Sequence, residues 1–281
     1  MKKFRRKTYE IETSKLKGMQ NVKFAILSDL HGVIFGEDNQ ELFDAIMEEK
    51  PDAVMILGDM LVRREIDTLG PAEKLLTKLS ENLPVYYVLG NHEQYFMECV
   101  ETQEVYLQYE RRLTNAGVCF LHNEHTSMEL KGTDFVFYGL ELPMEYYKKP
   151  RSPMLSLTEM ESLIGIPNMD GIHILLAHNP KYGNTYFSWG SDVVLCGHYH
   201  GGVLRLSEHY GLTCPQFLLF PPFCCGDFHR GGSHMIVSAG LGEHTIPLRI
   251  HNPRELLMVE LKLPRGIPTG SVGENSDETR D

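Results

Sequence analysis

The chain of 281 residues is short of positive charge, of paired cysteines and of long apolar runs. Lys and Arg total 27 against 38 Asp and Glu, a formal net charge of −11. An acidic chain repels phosphate backbones, so no nucleic-acid partner is expected, and a nuclease would want a basic groove. The six cysteines (Cys99, Cys119, Cys196, Cys214, Cys224 and Cys225) form no CxxC spacing and no even framework. That excludes a disulfide scaffold and fits free thiols in a reducing compartment. The vicinal pair Cys224-Cys225 could be reactive but reads first as ordinary loop. No run approaches the length of a membrane span. The basic start, Met1-Lys2-Lys3-Phe4-Arg5-Arg6-Lys7, is followed by Thr8-Tyr9-Glu10-Ile11-Glu12 rather than by the apolar core of a signal peptide. A cytoplasmic protein is the expectation, with peripheral membrane contact left open and oligomeric state unread.

What is present reads as α/β. Hydrophobic residues at 42% and charged residues at 23% are ordinary for a globular chain with a sizeable core. Apolar runs at 22–27, 53–57 and 85–89 read as buried strands. Residues 39–49 carry a helical stripe (Leu42, Phe43, Ile46, Met47), and a second helix opens at Gly70-Pro71 and stops before Pro84. Strand, helix, strand, helix, strand predicts a parallel sheet with right-handed crossovers. A longer helix is expected over 97–117, then a strand pair formed by 118–121 and 134–140. Further strands are expected at 172–177, 192–196, 235–238 and 256–261. No internal repeat or domain boundary is visible, so residues 1–263 read as a single domain. Residues 264–281, rich in Gly, Pro and charge, read as a disordered tail.

Five of these strands end in polar tips: Asp29-x-His31, Gly58-Asp59, Gly90-Asn91-His92, His178, and Gly197-His198-x-His200. Open α/β sheets place ligands beyond the carboxyl ends of their strands. Asp59, at the end of Ala53-Val54-Met55-Ile56-Leu57, follows a glycine at which the backbone can bend and approach a ligand closely. Any one tip alone is as well explained as a turn former or a satisfied histidine. Five together would require repeated coincidence. On a parallel-like sheet the seven side chains Asp29, His31, Asp59, Asn91, His178, His198 and His200 would meet as an oxygen and nitrogen cluster. That set suits Mn²⁺, Zn²⁺ or Fe²⁺, is too rich in imidazole for Ca²⁺ or Mg²⁺, and exceeds the needs of one tetrahedral zinc. Two divalent transition-metal ions about 3.5–4 Å apart, bridged by one carboxylate, are the economical solution. Asp59 is the chosen bridge.

The order Asp-x-His, Gly-Asp, Gly-Asn-His, His, Gly-His-x-His resembles the calcineurin-like metallophosphoesterases over most of the chain, from about residue 22 to 261. Within that superfamily, the stretch from Leu195 to Leu206, and Gly240-Leu241-Gly242 with Pro247-Leu248-Arg249, are similar to the bacterial YkuE/YaeI-like branch. The resemblance implies an α/β fold, a four-layer α/β/β/α metallophosphoesterase sandwich with a dinuclear metal site at the strand ends. It implies that Asp29, His31 and His200 hold one metal and Asn91, His178 and His198 the other, with Asp59 shared. His92 becomes a proton donor or transition-state stabiliser rather than a ligand. Two positions depart from the family pattern: Glu93 replaces the usual Asp, raising the question of how His92 is oriented, and Tyr199 replaces the commonest Thr. The implied reaction is hydrolysis of a phosphodiester by a metal-bridging hydroxide attacking in line. A phosphomonoesterase and a non-catalytic scaffold are the alternatives. The acidic balance does not exclude a small phosphorylated substrate, lipid-linked or nucleotide, because bound cations reverse the local field.

Other residues carry less. Arg205 and Arg249 are candidate substrate-binding residues, since guanidinium suits phosphate, and could equally be surface arginines. His122 and His125, with His209, His229, His234, His244 and His251, read as ordinary loop histidines, and His173 as a packed strand residue. Tyr146-Tyr147-Lys148-Lys149-Pro150-Arg151 reads first as a solvated loop and second as a border of a substrate cleft. Phe217 to Phe223 reads first as a core strand ending at Pro221. Exposed beside the metals, it would favour a lipid-linked phosphate.

Overall fold

Phe24 and Ile26 point to one side of their strand and Ala25 and Leu27 to the other, and all four are buried. A strand buried on both faces needs a layer on each side. The structure is a computed structural model that describes residues 2–264, apart from 19, 150, 168–169, 217 and 244–247. It supplies those layers with two six-stranded sheets. The first has the order β1 (Arg5–Glu12), β12 (Glu255–Lys262), β2 (Val22–Leu27), β3 (Ala53–Ile56), β4 (Val85–Tyr87), β5 (Val118–Phe120). The second has the order β10 (Gly226–Arg230), β11 (Ser233–Val237), β9 (Val193–Cys196), β8 (Ile172–Ala177), β7 (Thr133–Leu140), β6 (His125–Leu130). Strands β2 to β5 are parallel in one sheet, and β11, β9, β8 and β7 in the other.

Three apolar clusters fix the layer order. Ala25, Leu27, Val54 and Ile56 pack under α1 (Gln40–Glu48), α2 (Leu69–Ser80), α3 (Asn91–Glu98) and α4 (Gln103–Asn115). Phe24, Ile26 and Met55 meet Phe135, Phe137, Ile174 and Leu195 between the sheets. There Phe24 stands edge-on to Phe135 at 5.5 Å and to Phe137 at 5.9 Å. Val136, Tyr138, Leu175 and Val194 pack under α5 (Leu157–Ile164) and α6 (Gly183–Trp189). The architecture is the four-layer α/β/β/α sandwich.

Several expectations are corrected. The basic start is β1, parallel to β12, because Tyr9 and Ile11 alternate inward among charged neighbours. The helix expected over 97–117 is two helices, broken at 99–102, where the Thr102 hydroxyl donates to the Phe96 carbonyl. The segments 118–121 and 134–140 do not pair: β5 closes the first sheet, and β7 pairs with β6 and β8 in the second. The run after residue 217 is no core strand. Leu219 is 71% exposed and Phe220 59%, on an excursion whose strand-like pairings are isolated bridges. Phe217 itself, His244, Pro247 and the expected tail beyond residue 264 lie outside the described residues.

At the strand ends the backbone leaves ordinary geometry. Asp29, His31, Asp59, His198 and His200 have φ of 51°, 47°, 52°, 66° and 51°. This left-handed region is uncommon outside glycine and concentrates at functional sites. Gly58, at φ +81°, lets the Asp59 turn press against the next one: a Cβ there would sit 2.1 Å from the Gly90 nitrogen. Gly58→Ala is therefore expected to lower the unfolding free energy by about 1–2 kcal/mol for the left-handed backbone alone, and more for the clash. The shift of the urea midpoint at unchanged slope is the measurement.

Candidate metal centre

Each of the five tips arrives where the strand pattern predicts. Asp29 and His31 leave β2, Asp59 leaves β3, and Asn91 and His92 open α3 directly after β4, six residues before the helix expected there. His178 follows β8, and His198 and His200 follow β9. Asp29, Asp59, His178, His198 and His200 are buried, and His31 is half-buried. Their donor atoms fall into three overlapping groups, each within 4.8 Å: Asp29, His31 and His200; Asp59, His178 and His198; His31, Asp59 and His92. Asn91 lines the same cleft, with His31, Asp59, His92, His198 and His200.

The distances show how the groups join. His200 Nε2 is 3.5 Å from Asp29 Oδ1 and 3.2 Å from His31 Nε2. Asp59 Oδ2 is 3.2 Å from His178 Nε2 and 3.7 Å from His31 Nε2. His31 Nδ1 faces the Leu61 carbonyl at 3.2 Å, and His178 Nδ1 faces the Leu57 carbonyl at 2.5 Å. A proton on each Nδ1 donates to that carbonyl and leaves the Nε2 lone pair aimed into the cluster, as ligating histidines require.

The cluster fits metal ions on its own evidence. Asn91 Oδ1 and His198 Nε2 are buried without a hydrogen-bond partner among the described residues, and His178 Nε2 makes no aligned hydrogen bond, only the 3.2 Å approach to Asp59 Oδ2. Such atoms cost about 1–3 kcal/mol each when nothing satisfies them, and all three face this cleft or this cluster. Burial drives His178 and Asp59 toward neutrality, but their mutual attraction outweighs it. The His178 imidazole is pushed up to about 9, and the Asp59 carboxyl is held well below its usual range with help from His92. A cation satisfies the same carboxylate without a proton on the imidazole.

His92 is placed differently. Its Nδ1 accepts from the Arg63 backbone N–H at 3.0 Å, which keeps the ring proton on Nε2, and its ring stands 4.5 Å from that of His31. Glu93 makes none of these contacts. Its buried carboxylate accepts from the backbone of the Asp59 turn instead.

The two arginines singled out in the sequence are not brought into the cleft. The buried carboxylate of Glu255 draws Arg205 away, with Nη1 at 2.6 Å and Nη2 on the Glu208 carbonyl at 3.0 Å. Arg249 donates to the carbonyls of Ala239 and Gly242 and stands 3.5 Å from His200 Nδ1, so it braces the turn behind a donor. The cations that do line the cleft, about 470 Å³ in volume, are Arg63 and Lys149. The segment expected as a solvated loop thus borders the cleft. Its Tyr147 is buried, with its ring 5.2 Å from that of His198. The aromatic pair beside two lysines was the available signal. Arg63, four residues beyond Asp59, gave none.

A calcineurin-like phosphoesterase family model matches residues 22–202, the span that holds all seven donors and His92. The chain belongs to that family. Among its relatives, a Danio rerio protein named transmembrane protein with metallophosphoesterase domain is 29% identical over 264 residues, which cover 90% of this chain and 56% of that protein. An uncharacterized metallophosphoesterase of Aquifex aeolicus is 29% identical over 262 residues, 90% of each chain. Phosphodiesterase YaeI of Escherichia coli is 27% identical over 251 residues, 85% of this chain and 82% of that one. This chain thus spans little more than half the length of the first relative. No helix among the described residues is long and apolar enough to cross a membrane.

His122, expected as an ordinary loop histidine, is an ionic tie beside the cleft. It lies 3.2 Å from Glu110 and 3.1 Å from Glu141, whose other oxygen accepts from the Leu89 N–H at the end of β4. Hydrogen bonds to the two carboxylates push its imidazole up to about 10, against 6.5 for an ordinary histidine. A group raised on folding stabilises fully below its unfolded value and less as pH climbs to its folded one. The stability deficit of His122→Asn, read from urea midpoints, is expected to be largest below about pH 6.5 and to shrink toward pH 10.

Proposed function

We propose that the protein is a phosphodiesterase that works with two divalent transition-metal ions, Mn²⁺, Zn²⁺ or Fe²⁺. The observation that carries this reading is the place of Asp59 Oδ2, within 3.2 Å of His178 Nε2 and 3.7 Å of His31 Nε2, one member of each ligand set. Asp59 Oδ1 accepts from the His92 backbone N–H at 2.8 Å, so Oδ2 is the oxygen left to share. Asp29, His31 and His200 would hold one ion, and Asn91, His178 and His198 the other. Two such ions supply Lewis acidity and activate a water as nucleophile.

The chain's own groups do the rest. A bond from water oxygen to phosphorus would form as the bond to the leaving oxygen breaks. His92, neutral with Nδ1 held by the Arg63 N–H, would donate an Nε2–H hydrogen bond that stabilises charge on the leaving oxygen. Solvent would take the water's proton and supply the leaving group's. Arg63 and Lys149, rather than Arg205 and Arg249, would hold phosphoryl oxygens or a charged part of the substrate. A cleft of about 470 Å³ has room for groups on both sides of phosphorus, which favours a diester over a monoester. The excursion that places Pro215 at the cleft wall also exposes Leu219 and Phe220 a few residues on, and such apolar surface on the same loop would favour a lipid-linked phosphate over a free nucleotide. All six cysteines are free thiols, which fits a cytoplasmic setting.

The test is metal analysis of the purified protein together with hydrolysis of bis-p-nitrophenyl and p-nitrophenyl phosphate in Mn²⁺. About two ions per chain and turnover of the diester are expected, and Asp59→Asn should abolish turnover. Near-parental activity in that variant would sink the assignment, and turnover of the monoester alone would make this a phosphatase. Arg63→Ala is expected to raise KM for the diester about ten-fold, the weight of one hydrogen bond to a charged group.

A further inference from the structure

Glu93 is fully buried, and both of its carboxylate oxygens are spent on main chain that is not its own strand tip alone. Oε2 accepts from the N–H groups of Asp59 at 2.8 Å and Gly90 at 3.1 Å. Oε1 accepts from those of Met60 at 2.7 Å and Leu61 at 3.2 Å, and from the Tyr87 hydroxyl at 3.1 Å. In return, Asp59 Oδ1 accepts from the His92 N–H. Two turns therefore exchange carboxylates: the acid of each is seated on the amides of the other. The concern that Glu93 orients His92 through one methylene too many is corrected, since Arg63 holds His92.

We infer that Glu93 is the positioning residue of the metal centre, fixing the Asp59 turn so that Asp59 Oδ2 projects between the two donor groups. The inference rests on the dinuclear reading above and deepens it. Asp59 has φ 52°, which a free turn would relax. Three consecutive amides bound to one buried carboxylate hold that turn, while Oδ1 is fixed from the opposite side. Charged acceptors make the strongest hydrogen bonds of this kind. An aspartate at position 93 would end about 1.5 Å short, one carbon–carbon bond, and could not reach all four amides at once. Asp59 would be shared under that reading, so loosening it would weaken the hold on both ions without touching the ring of His92.

The experiment is Mn²⁺ titration by calorimetry of the parent, Glu93→Asp and Glu93→Gln, with thermal unfolding in EDTA and in Mn²⁺. Both variants are expected to lose at least about ten-fold in Mn²⁺ affinity, the usual effect of removing a group that orients a ligand. They should also lose most of the metal-dependent rise in Tm, with Asp the milder change. A folded variant that binds Mn²⁺ as the parent does would overturn the inference and leave Glu93 a core residue. Should Glu93→Gln fail to fold, Glu93→Asp alone decides. If the parent itself binds no Mn²⁺, the function reading falls and takes this inference with it, an outcome that needs no variant to recognise.

Discussion

The metal end of the molecule depends on two glycine-opened turns pressed against each other at the ends of neighbouring parallel strands. Strands β3 and β4 lie side by side, about 4.8 Å apart as in any sheet, and their tips have no room to diverge. A side chain at Gly90 would meet Asp59 Oδ1 at 2.2 Å, and one at Gly58 would meet backbone. With both positions bare, the amides of each turn come within reach of the other's acid. Asp59 then has one oxygen fixed by α3 and one directed outward. The orientation is thus dictated by main-chain contact rather than by side-chain packing, which would tolerate more slack.

A second constraint comes from the layering. The first sheet contributes Asp29, His31, Asp59 and Asn91, and the second contributes His178, His198 and His200. Two of the three donor groups draw on both sheets: His200 completes Asp29 and His31, and His178 and His198 complete Asp59, while His31, Asp59 and His92 all leave the first sheet. The centre is a seam between sheets that also pack on each other through Phe24, Phe135 and Phe137. The His122 tie acts at the same seam, joining α4 and the end of β5 to the end of β7.

Much of this was legible because buried parallel strands announce themselves as uncharged runs and their tips carry the chemistry. The family followed from those tips, the layered fold followed from the family, and six of the seven side chains fall into close groups with Asn91 on the same cleft. What escaped was whatever periodicity could not mark. Strand β1 shows only Tyr9 and Ile11 buried in an otherwise polar and charged run, and its partner β12 lies 250 positions away. Pairing 118–121 with 134–140 followed the rule that sequence neighbours pair, and the chain changes sheets at that point. Arg205 and Arg249 carried the right chemistry, but only tertiary structure shows Glu255 claiming one and backbone carbonyls the other. Glu93 stands out in the sequence as a departure with no partner readable from it, because its partners are backbone amides of the Asp59 and Gly90 turns.

The energetic asymmetry of the fold follows from the same facts. Five of the seven donors sit in left-handed backbone, at a cost of about 1–3 kcal/mol each. Three donor atoms are buried with no aligned hydrogen bond among the described residues. Those costs all fall at one end of the sheets, while the three apolar clusters lie along their length. The core therefore holds the donors in place before any ion arrives, and an ion recovers what the orphaned atoms lack. A site assembled this way favours binding over rearrangement: the donors are pre-positioned, so little ordering entropy is left to oppose the metal. Strain at the strand ends is then the counterpart of affinity there, with the sandwich behind it as the reservoir that keeps the strained conformation in place.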